Sequence, residues 1–128
     1  MKEIIHTSAR DNWNWIKRHI TTIIAQQRLD CTQEDIYHLL ISGKSSLYIN
    51  KESDAFIILS PTSDSHNGKR GVFIDIAYCP SWRKAEDYAP AIYDLCRSTG
   101  AEYIEFASNR KGWARMFNKQ HTLFRGSL

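Results

Sequence analysis

The sequence predicts a single α/β domain, with a mixed and mostly antiparallel central sheet flanked by helices on both faces. Three observations predict it. Two amphipathic helical stretches come early, at 9–28 and after Thr32. From Ser46 the apolar residues change to short β-prone runs. One further helical stretch then separates the runs Val72–Tyr78 and Tyr103–Ala107, the spacing of a right-handed crossover between parallel neighbours.

Each element has its own warrant. Lys2–His6 is a short apolar-centred run that reads as a first strand. Ser8, with Asp11 three residues on, is a near-match to a reciprocal helix cap. Trp13, Ile16, Ile20, Ile23 and Ile24 then recur at steps of three and four, one face of a helix over 9–28. Thr32 caps a second helix with Asp35 at its third position, Ile36, Leu39 and Leu40 as its stripe, and Gly43 as its left-handed stop. Ser46–Asn50 and Ala55–Ser60 read as a hairpin joined by polar Lys51–Asp54. Pro61–Arg70, rich in Ser, Asp, Asn and Gly, reads as an exposed loop, and Val72–Tyr78 as a strand ended by Pro80. Ser81–Glu86 reads as a connection. Pro90 fits a helix in its first turn, so the third helix is expected from near Asp87 to Gly100, with Tyr88, Ile92, Leu95 and Cys96 on one face. A strand Tyr103–Ala107, a short helix Arg110–Lys119 and a strand Thr122–Arg125 complete the order β-α-α-β-β-β-α-β-α-β.

Composition removes several classes of function. At 128 residues, 42% hydrophobic and 24% charged, the chain is one folded domain over 1–128, not a disordered one. The odd set Cys31, Cys79 and Cys96 has no CxxC pair, which argues against a disulfide framework or zinc ribbon and for small buried hydrophobes in a reducing compartment. Met1–Ser8 is too poor in apolar residues for a signal peptide, and no apolar run reaches the ~18 residues of a membrane span. His6, His19, His38, His66 and His121 lack HxxxH or HxH spacing, so no metal site is expected. A net charge of +3 permits an acidic or nucleic-acid partner without demanding one.

The element order, with two early helices and one crossover after the fourth strand, resembles the GNAT family of N-acetyltransferases. Glu34-Asp35-Ile36-Tyr37, then Ser108, Arg110, Gly112 and Trp113, are similar to a pattern in small acetyltransferase-like proteins of tailed bacteriophages. The resemblance implies an acetyl-CoA pyrophosphate held by backbone N–H groups in a glycine-rich turn before the third helix. Its signature is Gln or Arg, two residues, Gly, one residue, then Gly or Ala. Cys79–Asp87 contains no glycine here, and it adds Glu86 and Asp87 where an anion would sit. The resemblance also implies a tyrosine general acid on the fourth helix, and the apolar spacing puts Phe117 there, with His121-Thr122 in place of the usual Gly-Phe. The sequence therefore leans away from an enzyme and holds no cofactor by this signature.

The expectation that follows is a GNAT-like fold kept without its chemistry, acting on a phage or host protein in the host cytoplasm or the virion. Trp15, Trp82, Arg83, Arg110, Trp113 and Arg115 are the interface candidates, since exposed Trp beside Arg is what interfaces enrich. A homo-oligomer is compatible with this. The alternative is a divergent acyltransferase, with Arg83 and Lys84 on acetyl-CoA and Asp75 or Glu105 as base. Asp75 lies between Ile74 and Ile76, and alternation puts those two isoleucines on one face and Phe73 with Asp75 on the other. A third, less favoured reading is a nucleic-acid binder using Arg110, Lys111, Arg115, Lys119 and Arg125 together with Trp82.

Overall fold

A computed structural model describes residues 4–27, 29–50, 54–80, 84–107, 118–120 and 123–127. The chain runs β1 (Ile4–Thr7), α1 (Ala9–Gln27), α2 (Gln33–Ile41), β2 (Ser46–Asn50), β3 (Phe56–Ser63), β4 (Arg70–Tyr78), α3 (Lys84–Ser98), β5 (Tyr103–Ala107), β6 (Asn118–Gln120) and β7 (Leu123–Ser127). These strands form one sheet in the order β1-β2-β3-β4-β5-β7-β6. Its neighbours are antiparallel except β4 and β5, which run parallel on either side of the α3 crossover. The mixed, mostly antiparallel architecture is the one the sequence predicts.

The helix stripes bury as their spacing requires. Ile16 and Ile20 of α1 are fully buried, and Ile23 and, from α2, Ile36 join them. α2 starts with a complete capping box, the Thr32 hydroxyl accepting from Asp35 N–H and the Asp35 carboxylate accepting from Thr32 N–H. It stops at Gly43, whose φ of +81° is costly for a residue with a Cβ. Two apolar clusters result. One, on the α1/α2 face, contains Leu47, Ile49, Phe56, Ile58 and Ile76. The other, on the α3 face, contains Ile57, Leu59, Val72, Ile74, Ile92, Cys96, Ile104 and Phe106.

Several boundaries differ from the sequence expectation. β3 runs through Pro61 to Ser63 and β4 begins at Arg70, so the expected Pro61–Arg70 loop shrinks to 64–69. β2 pairs with β3 only as far as Ser46↔Leu59, which leaves Pro61 on a local edge where a missing N–H breaks no ladder. α3 begins at Lys84 rather than Asp87, placing Pro90 inside the helix. Pro90 is exposed there. In the expected helix Arg110–Lys119, Asn118 and Lys119 are instead strand, paired antiparallel with Arg125 and Phe124, while residues 110–117 lie outside the described residues. The final strand is Leu123–Ser127, not Thr122–Arg125.

Candidate functional site

The site is built around one irregularity in the sheet. Ile58 faces Ile76 across the β3–β4 ladder, and Leu59 faces Ile74, so Asp75 is an extra residue with no partner on β3. Such a bulge turns the strand and breaks the alternation of its side chains. Ile74 accordingly packs on the α3 face and Ile76 on the α1/α2 face. The expectation that the two share a face is overturned by this single inserted residue. The parallel β4–β5 register runs from Gly71↔Tyr103 to Ile74↔Phe106 and ends at the same place. Gly71 is needed there, because a Cβ would overlap the Tyr103 ring.

Asp75 is half-buried and does not stand alone. Its carboxylate accepts a short hydrogen bond from the Ser60 hydroxyl and a longer one, 3.4 Å, from the Ser45 hydroxyl. The two hydroxyl oxygens are 2.8 Å apart. Ser45 is buried, held just past α2 by its N–H donating to the Leu39 carbonyl at 3.1 Å. Three strands' worth of sequence thus converge: the turn before β2, the middle of β3 and the bulge of β4. Burial pushes the Asp75 carboxyl above the ordinary carboxylate range, and the two serine hydroxyls only partly oppose it. Such a group holds its proton more readily than an exposed aspartate, which brings it nearer to a base useful at neutral pH. Cys31 senses the same carboxylate. Its thiol is pushed up first by burial, then by Asp35, Asp75 and Asp30. Cys96, buried against the sheet, is pushed up to about 12 by burial, so neither thiol is activated as a nucleophile.

The other candidates are placed unevenly. Glu105 is half-buried on β5, opposite Phe73, two positions short of Asp75 along the ladder. Ile104 and Phe106 pack on the α3 face, so alternation sets Glu105 on the other, shared with Asp75. Trp15 is half-buried rather than exposed. Its Nε1 donates to Asn12 Oδ1 at 2.9 Å and its ring stands edge-on to Phe56, centroids 5.7 Å apart. Position 15 falls off the main apolar stripe, but the end of β3 reaches it. Lys84 opens α3, whose first turn is Lys84-Ala85-Glu86-Asp87. Trp82, Arg83, Arg110, Trp113, Arg115 and Phe117 lie outside the described residues. Among the described residues no group of three His, Cys, Asp or Glu side chains could hold a metal ion, and no helix is long and apolar enough to cross a membrane. Ser45, Ser60 and the stacked pair His19–Tyr78 were not singled out by sequence; a serine ending an apolar strand beside one that carries a lone Asp was the available signal.

No family profile and no curated protein matches the sequence. Solved structures do match its fold. A structure described as "a probable acetyltransferase" aligns over 93% of this chain and 91% of its own, with TM-score 0.67 and 13% identity. The ribosomal-protein-alanine N-acetyltransferase of Brucella melitensis biovar Abortus 2308 covers 90% of this chain and 87% of its own, with TM-score 0.62 and 14% identity. A GNAT-family acetyltransferase of Staphylococcus aureus Mu50 covers 100% and 99%, with TM-score 0.59 and 11% identity. The fold of the chain is GNAT-like.

Proposed function

We propose that this is a GNAT-fold protein of a tailed bacteriophage that works by binding another protein, in particle assembly or in blocking a host defence factor, and not by acyl transfer. The observation that carries this reading is the first turn of α3. A helix N-terminus attracts an anion because its N–H groups are unpaired and its dipole is positive. Here Glu86 and Asp87 fall in that turn, acidic residues where a coenzyme diphosphate would call for neutral or basic ones. The five residues between Tyr78 and Lys84 contain no glycine to bring main-chain nitrogens close to phosphates. Trp82 and Arg83 in the same connection are residue types that protein interfaces enrich. Such a protein would reside in the host cytoplasm or the virion. Calorimetry with acetyl-CoA is expected to give no heat, and tagged protein from infected cells to carry a stoichiometric partner through gel filtration that Trp82→Ala loses. Saturable micromolar acetyl-CoA binding would overturn the reading.

A second reading rests on Asp75. A half-buried carboxyl held by two hydroxyls at a strand bulge supports a divergent N-acyltransferase, with Asp75 as base and Arg83 and Lys84 on acetyl-CoA. Glu105 is the reserve base. Labelled acetyl-CoA incubated with a broad panel of amines decides it: transfer that Asp75→Asn abolishes supports this reading, and no transfer to any amine removes it.

A further inference from the structure

At the far end of β4 a cluster of rings joins the sheet to α1. The His19 imidazole lies face to face with the Tyr78 ring, centroids 3.9 Å apart and planes 20° from parallel. Phe56 stacks on Tyr78 at 5.7 Å, and the two are register partners on β3 and β4. Trp15 stands edge-on to Phe56 at 5.7 Å and to His19 at 6.4 Å. Tyr78 is the last residue of β4, and only residues 79–83 separate it from α3. The ring that α1 grips is therefore the one from which this connection, with Trp82 and Arg83, departs.

We propose that the His19–Tyr78 stack is a pH-sensitive clamp, holding the end of β4 to α1 while the imidazole is neutral and releasing it when the imidazole is protonated. The geometry supplies the reason. A half-buried imidazolium would lose hydration, and the groups packed on it offer little in return. From β3 it meets Phe56, from β4 the Tyr78 phenol, and along α1 Trp15 and Arg18. Of these only Arg18 is charged at neutral pH, and its sign is the same. Burial first and Arg18 second hold the imidazole below its ordinary range. A cation over the phenol face gains some attraction, which works against release. The position of the His19 midpoint therefore decides between the two. With a lowered midpoint, the clamp stabilises the fold fully above the imidazole value of the unfolded chain. That contribution is lost as pH falls through the folded midpoint.

The test uses the intact protein. Proton NMR follows the His19 ring as pH is lowered, and hydrogen exchange follows the amides of Ile76–Tyr78, each rate divided by its intrinsic value. The clamp requires a His19 midpoint below about 6.5, the ordinary imidazole value. It also requires severalfold faster exchange at Ile76–Tyr78 over the same pH interval. His19→Phe keeps a stacked ring but cannot titrate, so it should abolish that acceleration. A midpoint at or above the ordinary value overturns the clamp, as does an acceleration that persists unchanged in His19→Phe. The wild-type titration decides the matter even if His19→Phe does not fold.

Discussion

The two faces of the sheet are built from the same kinds of aliphatic residue, yet the groups of the candidate site gather on one of them. Under α3, the buried cluster runs from Ala55 to Phe106, with Tyr48 and Tyr93 packed against it. Under α1 and α2 the cluster is richer in isoleucine, and the carboxyl of Asp75, the hydroxyls of Ser45 and Ser60 and the imidazole of His19 lie among or beside its residues. The bulge is what separates the two. By inserting one residue into β4 it sends Ile74 to one face and Ile76 to the other, and leaves a carboxyl where strict alternation would pair aliphatic side chains. Polar groups are costly to bury unless hydrogen-bonded, and Asp75 is held in this way by Ser60 and Ser45. We read the α3 face as scaffold and the α1/α2 face as the one that carries the candidate site.

The sharpest way to break that contrast is to open an equal hole in each face. Ile104 under α3 and Ile58 under α1 are both fully buried. Ile104→Ala and Ile58→Ala should each destabilise the fold by about 2–5 kcal/mol, read from the midpoint of urea unfolding. Equal losses would show that the polar insertions leave the surrounding packing as tight as on the α3 face. A much smaller loss at Ile58 would show a looser face that can collapse into the cavity. A smaller effect is expected at the sheet's end. Buried Asn50 accepts from the N–H groups of Asp54 and Ala55 at 2.9 and 3.0 Å and closes the β2–β3 hairpin. Asn50→Ala leaves both donors without that acceptor and should cost about 2 kcal/mol. Thr32→Ala removes half of the capping box of α2 and should cost about 1 kcal/mol, visible as a lower thermal midpoint.

Most of the scaffold was readable before any coordinates, because it depends on local pattern. The α1 stripe, the Thr32 cap and the Gly43 stop are each fixed by residues close to one another in the chain, and the crossover follows from a helix lying between two β-prone runs. The misreadings share a cause. Whether Pro61 can sit in a strand depends on where β2 ends, and whether Asn118–Gln120 is strand depends on β7 pairing with it. The bulge is of the same kind: Val72–Tyr78 looks like ordinary alternation, and only its register against β3 exposes Asp75 as surplus. Asp75 itself was legible as an odd residue between isoleucines. Its serine partners were not, since Ser45 and Ser60 are fifteen and thirty positions from one another or from the carboxyl. Trp15 misled because helix spacing says which side a ring leaves, not whether a neighbouring strand reaches out to meet it.

The smallest expected effect is the most discriminating, because it should carry the opposite sign. The folded state raises the Asp75 carboxyl above its unfolded value, chiefly through burial. Between those two values the folded chain binds more protons than the unfolded one, so stability falls as pH rises through that window and the deficit is complete above it. Asp75→Asn keeps the size of the side chain and an oxygen that accepts from the Ser60 and Ser45 hydroxyls, but it cannot ionise. At neutral pH the variant should therefore be at least as stable as the wild type. Its advantage should shrink as pH is lowered and vanish below the carboxylate range. Urea unfolding of both proteins at a series of pH values measures this directly. If Asp75→Asn is instead less stable at neutral pH, the two serine hydrogen bonds to the charged carboxylate outweigh its burial. The polar insertion would then be part of what holds the bulge in place, and the division into a scaffold face and a working face would lose its thermodynamic basis.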